Sequence, residues 1–361
     1  MTPDTVAPAR RTAPGSGHAH SHDPSGQPHP PAAGRSRALR RIILGLAILG
    51  ALLALRSVTG GGAWSLPDQG QDFITLAISV VIESLPFVIL GIVLSIVVQV
   101  WLPAGAIVRV LPSNPFLRRI VISFIGMLLP VCECGNVPLA RGLILRGFTV
   151  PESITFLLAA PILNPITIVT TYQAFGWDNG ILLARIIGGF VIANLIGWVF
   201  SRHANPAALL TSRFAAQCRL PEQSNTDGGR WSRSVDMFVR ETSGMMPALV
   251  VGSALAGLIQ VAVSREVLVS LGSNPLLSIL AMMVLAFVIS ICSNVDAFFA
   301  LSLGSTFMPG AIVAFLVFGP VLDIKMVALM RTTYATRTIV QIAAITALVT
   351  LALGLVVNYV A

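Results

Sequence analysis

Two short segments hold residue types that an apolar environment does not ordinarily tolerate. The first is Pro130-Val131-Cys132-Glu133-Cys134-Gly135-Asn136-Val137-Pro138, and the second is Ile291-Cys292-Ser293-Asn294-Val295-Asp296. Both interrupt long apolar stretches. Proline removes an intrahelical hydrogen bond, and a carboxylate or amide beside it demands polar partners. Backbone freed at such depth must be buried in protein or line a wet cavity. Thiolates are soft ligands that select Cu(I), Zn and comparable species, and trivalent arsenic bonds thiols as well. Cys132 and Cys134 stand in a CxC spacing rather than the CxxC of closed structural zinc sites, which suits transient handling of a soft ligand. The other reading is that Cys132, Cys134 and Cys292 pack as small apolar residues, as free cysteine commonly does. Their place in the breaks, beside Asn136 and Asn294, keeps the ligand reading in play.

Three carboxylates, Glu133, Asp296 and Glu83, also fall in apolar stretches. An ionisable group at that depth costs several kcal/mol and is by default a functional candidate. Glu133 and Asp296 suit a proton-coupled cycle; otherwise Arg141 or a helix N-terminus neutralises them. Glu83 lies nearer a helix end. Ala160-Pro161-Ile162-Leu163-Asn164-Pro165 and Gly319-Pro320-Val321-Leu322-Asp323 are matched polar kinks, where Asn164 and Asp323 either coordinate a substrate or ion or simply accompany the bend. Near the N-terminus, His18, His20 and His22 form an HxHxH run, with His29 beyond, that can bind Zn, Cu or Ni weakly or be low-complexity drift.

The surrounding chain is apolar. Of 361 residues 55% are hydrophobic and 11% charged, against roughly 25% charged in soluble globular proteins. Runs above about 18 apolar residues read as membrane-spanning helices, so the chain is expected to be polytopic. The formal net charge of +8 is almost all arginine in short connectors, with Lys325 the single lysine. That is the pattern by which charge orients a membrane protein, and it excludes a nucleic-acid partner. Four cysteines, three of them in apolar segments and Cys218 in a basic connector, fit no disulfide framework and are expected to be thiols.

Residues 1–37 read as a disordered His- and Pro-rich cytoplasmic tail, and 38–72 as a first transmembrane helix, about 42–55, with an outer loop. The chain then repeats itself. Pro86, Gly91 and Gln99 recur 161 residues on as Pro247, Gly252 and Gln260, and Asn114-Pro115 recurs 160 on as Asn274-Pro275. Cys134, Asn136 and Val137 recur 158 on as Cys292, Asn294 and Val295, and Pro161 and Asn164 correspond 159 on to Pro320 and Asp323. So constant an offset marks an internal duplication. Repeat 1 covers 73–200, a basic cytoplasmic loop 201–240, and repeat 2 241–361. Each half is expected to hold a long helix (about 73–102 and 244–263), two short arms around the polar break, and two closing helices. The arms fall short of the roughly 20 residues that cross a bilayer, which suits re-entrant or discontinuous helices. Lys325, Arg331 and Arg337 read as the cytoplasmic end of the last two helices. An odd number of crossings per half inverts the second half relative to the first and would bring both breaks together near the midplane.

Three runs carry a family resemblance: PVCECGNVPLARGL at 130–143, SLPFVILG at 84–91 and AAPILNP at 159–165. They resemble the bacterial predicted-permease family, which includes the organoarsenical efflux permeases. The likeness spans roughly residue 73 to the C-terminus, with CxCGN its most specific part. It implies a plasma-membrane permease and, for the branch resembling two-component permeases, a second small membrane subunit. It also implies a part in substrate handling for Cys132, Cys134 and Cys292. The expectation is thus an all-α polytopic inner-membrane protein with its N-terminus in the cytoplasm, built as two inverted repeats with broken or re-entrant helices plus one extra N-terminal helix. It would export a soft metal ion or a small inorganic or organometalloid species. Cys132, Glu133, Cys134, Asn136, Asn164, Cys292, Asn294, Asp296 and Asp323 are its expected substrate-binding residues. No GxxxxGK[ST] run occurs, so no nucleotide cofactor is called for and any ATP would come through a partner. An enzyme is not expected, since no His-Glu or Ser-His pairing falls at depth. The alternative is a non-transporting membrane subunit or scaffold that docks a partner through 201–240.

Overall fold

The computed structural model describes residues 50, 68–103, 109–128, 132–177, 180–219, 229–262, 274–304 and 306–360. The tail with His18, His20 and His22, and all but one residue of the expected first helix, lie outside them.

Among the described residues every regular element is a helix. In chain order they are α1 (Asp68–Ile96, continued by a π turn, Val97–Trp101), α2 (Pro115–Ile125, ending in a 3-10 turn, Gly126–Leu128), α3 (Glu133–Leu145), α4 (Val150–Ala159), α5 (Pro165–Phe175), α6 (Ile181–Ser201) and α7 (Ser212–Arg219). Then follow α8 (Arg230–Ala262), α9 (Pro275–Ile289), α10 (Asp296–Leu301), α11 (Pro309–Val321), α12 (Ile324–Met330) and α13 (Thr336–Val360). Five stretches are long and apolar enough to cross a membrane: Gly70–Trp101, Ile181–Ser201, Arg230–Val261, Pro309–Met330 and Thr336–Val360. The shorter apolar helices Val150–Ala159 and Pro275–Ile289 complete the set.

The repeated Asn-Pro pairs are helix starts. Asn114, Asn164 and Asn274 each turn the side-chain oxygen onto the backbone N–H two residues on, at 2.9–3.0 Å. The proline at the first helical position spends no backbone donor. Thr149 and Glu152 cap α4 reciprocally, since the Thr149 N–H donates to Glu152 Oε2 at 2.8 Å and the Thr149 hydroxyl accepts in return. These caps stop α2, α5 and α9 from fusing with what precedes them.

Pro309–Met330 is the most enclosed span, with 83% of its most apolar window buried against 28% for Thr336–Val360. The core therefore gathers around α11 and α12. On another side α1 and α8 lie along each other. Trp101 packs edge-on to Trp231, with ring centroids 5.4 Å apart. At the other end, a Cβ added to Gly257 would stand 3.0 Å from the Ala77 backbone nitrogen. Contacts pairing the end of one helix with the start of the other make the two antiparallel. Helix α8 begins at Arg230, earlier than the apolar pattern near Gly244 suggested, because its first turns are polar. The connector before it is pinned to the α12–α13 turn, where Thr211 N–H donates to Thr333 O and Ala335 N–H to Leu209 O, both at 2.9 Å.

Candidate functional site

Each half breaks its helices twice, and the four breaks converge. At the first, α2 tightens into the 3-10 turn ending at Leu128, and Cys132 caps α3 in an extended conformation with φ −77° and ψ 177°. Pro130 and Val131 lie outside the described residues. At the second, α9 stops at Ile289 because Ser290 turns left-handed (φ 54°). The chain then folds through Cys292-Ser293-Asn294 into α10. Gln260 covers the carbonyls left open there, donating through Nε2 to Ile289 O at 2.8 Å and Val288 O at 3.4 Å. The third and fourth breaks separate α4 from α5 and α11 from α12. Asn164 and Asp323 cap the helices that follow; Asp323 Oδ1 accepts from Met326 N–H at 2.6 Å.

The first and second breaks touch. Ligand atoms of Cys132, Glu133 and Cys134 all lie within 4.8 Å of one another, and all three residues are buried. The Cys292 thiol lies near that of Cys132, so the second half brings a third sulfur to the cluster. Glu133 Oε2 accepts from the Ser293 hydroxyl at 3.1 Å, and Glu133 Oε1 faces Lys325 Nζ at 3.1 Å. Lys325 also stands 3.7 Å from Asp323 Oδ2. Beside this cluster Arg185 on α6 grips Asp296 as a two-pronged fork, Nη1 to Oδ1 at 2.9 Å and Nη2 to Oδ2 at 2.6 Å. Its Nη1 also donates to the Thr171 hydroxyl at 2.7 Å. The Thr167 hydroxyl donates to Asn294 Oδ1 at 3.3 Å, tying α5 to the second break. Asn136 is fully buried on the first turn of α3, and among the described residues neither atom of its amide has a partner.

Against known proteins, the family described as predicted permease matches residues 70–359. The chain belongs to this family. One relative, the UPF0718 protein YcgR of Bacillus subtilis, is 35% identical over 73% of this chain and 89% of its own length. Another, a putative two-component membrane permease complex subunit of Streptococcus mutans, is 32% identical over 81% of this chain and 97% of its own length. The UPF0718 protein YraQ of Escherichia coli is 23% identical over 41% of each chain. No solved structure matches. Membership and the five apolar spans make this a multi-pass membrane protein of a permease family.

Within that permease frame, Cys132, Glu133, Cys134, Cys292 and Asp323 gather with Lys325, and Asp296 and Asn294 sit alongside with Arg185 and Thr167. Asn164 and Asn136 border the group through α5 and α3. Two expected roles change. Arg141 does not neutralise Glu133 or Asp296; its guanidinium pairs with Glu241 at 3.3 Å, donates to Thr332 O at 3.2 Å and lies over the Phe214 ring. Lys325 does not mark a helix end in water, for it is 1% exposed, while Arg331 and Arg337 are exposed. Glu83 stands apart from the cluster, exposed and well inside α1 rather than near its end. Lys325, Arg185, Ser293, Thr167 and Thr171 were not among the expected site residues. Arg185 had a readable signal, a lone cation inside the apolar run 181–200. The hydroxyl residues had none, since serine and threonine are ordinary in apolar helices.

The donor set combines thiols, a carboxylate and an amide inside protein. Both intimate ion pairs, Glu133–Lys325 and Asp296–Arg185, join one half of the chain to the other, and each carboxylate has a fixed counter-charge as burial requires. Thiol and carboxylate together suit soft and borderline metal ions, or a metalloid that exchanges ligands with thiols.

Proposed function

We propose that the chain is a secondary-type permease of the plasma membrane that exports a soft metal ion or thiol-reactive metalloid species through the site between its breaks. The observation that carries this is the enclosed meeting of Cys132, Cys134 and Glu133 with Cys292 from the other half. The antiparallel pairing of α1 with α8, equivalent helices of the duplication, supports two inverted repeats, with the short arms α2–α3 and α9–α10 dipping in and returning from opposite faces. Asn136, Asn164, Asn294, Asp296 and Asp323 complete the substrate's surroundings, and the N-terminus faces the cytoplasm. The test is a survival screen. A deletion strain challenged with Zn, Cu, Cd, arsenite and methylarsenite is rescued by the wild type and not by Cys132→Ser, Cys134→Ser or Cys292→Ser. If no compound separates these strains, the soft-substrate reading fails. Proton exchange through Glu133 and Asp296 is a separable part of the proposal, and undiminished export by a Glu133→Gln, Asp296→Asn double variant removes it.

A second reading has its own support. The Streptococcus mutans relative is described as a subunit of a two-component membrane permease complex, and it aligns over 97% of its length. On that reading this chain works with, or anchors, a second membrane subunit. Purified chain in sealed vesicles distinguishes the two, because uptake by the lone protein requires no partner for transport.

A further inference from the structure

Glu83 is the carboxylate that the site leaves unused. It lies thirteen residues after Gly70 and eighteen before Trp101, about 20 Å and about 27 Å from the ends of the span at 1.5 Å per residue. It is exposed, and among the described residues no ion pair or hydrogen bond involves it. Ile82, Leu90, Val93 and Val97 share its exposed face and are apolar. Ionisable side chains at such depth are held by partners or water, not by hydrocarbon.

The matching position of the second half carries no carboxylate. The offset that carries Pro86 to Pro247 and Gly91 to Gly252 carries Glu83 to Gly244. Pro86 and Pro247 are both exposed, as are Leu90 and Val251, and Val97 and Leu258, so the two faces match. Yet Gly244 is itself exposed, and a Cβ there would meet nothing within 4 Å. One half thus presents a carboxylate where the other presents an empty surface.

We propose that the face of α1 around Glu83 is the docking surface for a second, different membrane protein, whose apolar helix presents an arginine or lysine level with Glu83. This deepens the two-subunit reading above and says where the subunits meet. Charge selects the occupant. A second copy related by a two-fold axis through this face would set Glu83 against Glu83. The chain's own apolar run 42–55 contains no polar side chain to offer. A basic side chain on a partner helix satisfies the carboxylate and leaves apolar neighbours to pack on apolar neighbours.

The experiment uses the full chain in its native membranes. With p-benzoylphenylalanine replacing Ile82, irradiation is expected to join the chain to one integral membrane protein whose crosslinked span contains an arginine or lysine. Adding Glu83→Gln should lower that yield by roughly tenfold or more, since the partner's buried cation is then unpaired. Glu83→Lys should abolish it, and changing the partner's cation to Glu should restore it. A crosslink to a second copy, to residues 42–55, or to a span without a cation overturns the proposal. In a Cys218→Ser background that keeps Glu83, Ile82→Cys should resist both water-soluble and lipid-soluble maleimides in native membranes and react once the chain is expressed alone. Labelling by the water-soluble reagent in native membranes would mean that this face lines a wet cleft, and labelling by the lipid-soluble reagent alone that it faces lipid; either overturns the proposal. A stable complex that survives Glu83→Gln and crosslinks through another face removes this surface while leaving the two-subunit reading intact.

Discussion

Lys325 is enclosed by Glu133, Asp323 and the cysteines, and its burial makes it the residue on which the site's charge balance turns. Removing one member of a buried ion pair leaves the other uncompensated and costs about 3–5 kcal/mol. Lys325→Met should therefore lower the thermal midpoint of the purified protein sharply, and adding Glu133→Gln should recover most of the loss, because neither charge is then stranded. A single variant as stable as wild type would show that the pair is not closed in the native protein. The cysteines, carboxylates and amides of the breaks were legible because polar residues in apolar runs stand out one by one. Their partners were not. Sequence places Lys325 two residues beyond Asp323 but cannot say that its side chain turns inward to a carboxylate nearly two hundred positions earlier, and a cation near a helix end ordinarily reads as topology.

Elements here are shaped by where backbone groups find partners. Gln260 holds the open end of α9, and truncating it leaves two enclosed carbonyls short of a donor, a loss of about 1–3 kcal/mol. Gln260→Leu should speed amide hydrogen exchange from Ser290 through Asn294 while leaving the first break unchanged; equal exchange at both breaks would contradict the assignment. Glycines test the packing between elements. A Cβ at Gly91 would run into the Gly135 backbone on the first turn of α3, so neither side can yield cheaply. Gly91→Ala should cost about 1–3 kcal/mol or more by overpacking. Gly244→Ala, in open space, should be neutral or slightly stabilising. Thermal unfolding of the two variants in one detergent decides the comparison. The duplication announced Gly91, which recurs as Gly252, and the Asn114-Pro115 start, which recurs as Asn274-Pro275, whereas Gly244 has no glycine counterpart. The start of α8 was hidden because polar turns carry no apolar period, and periodicity is what marks a membrane helix.

At the scale of the whole molecule, the halves are joined through their breaks. Cys132 belongs to the first half and Cys292 to the second, and their buried thiols lie near each other. With only Cys218 changed to Ser, so that the site keeps its three cysteines, mild oxidation by copper phenanthroline should link Cys292 to Cys132 or Cys134. A protease site inserted within residues 220–228 makes the outcome readable: cleaved, oxidised protein should run at full length without reductant and as two fragments with it. If alternating access moves one half against the other about this site, the link should also stop transport, and reductant should restore it. Two fragments without reductant would mean that the breaks do not meet in the membrane, and the shared site would have no basis. A link that forms while transport continues would leave the contact standing and overturn the rocking of the halves, placing the moving parts elsewhere in the fold.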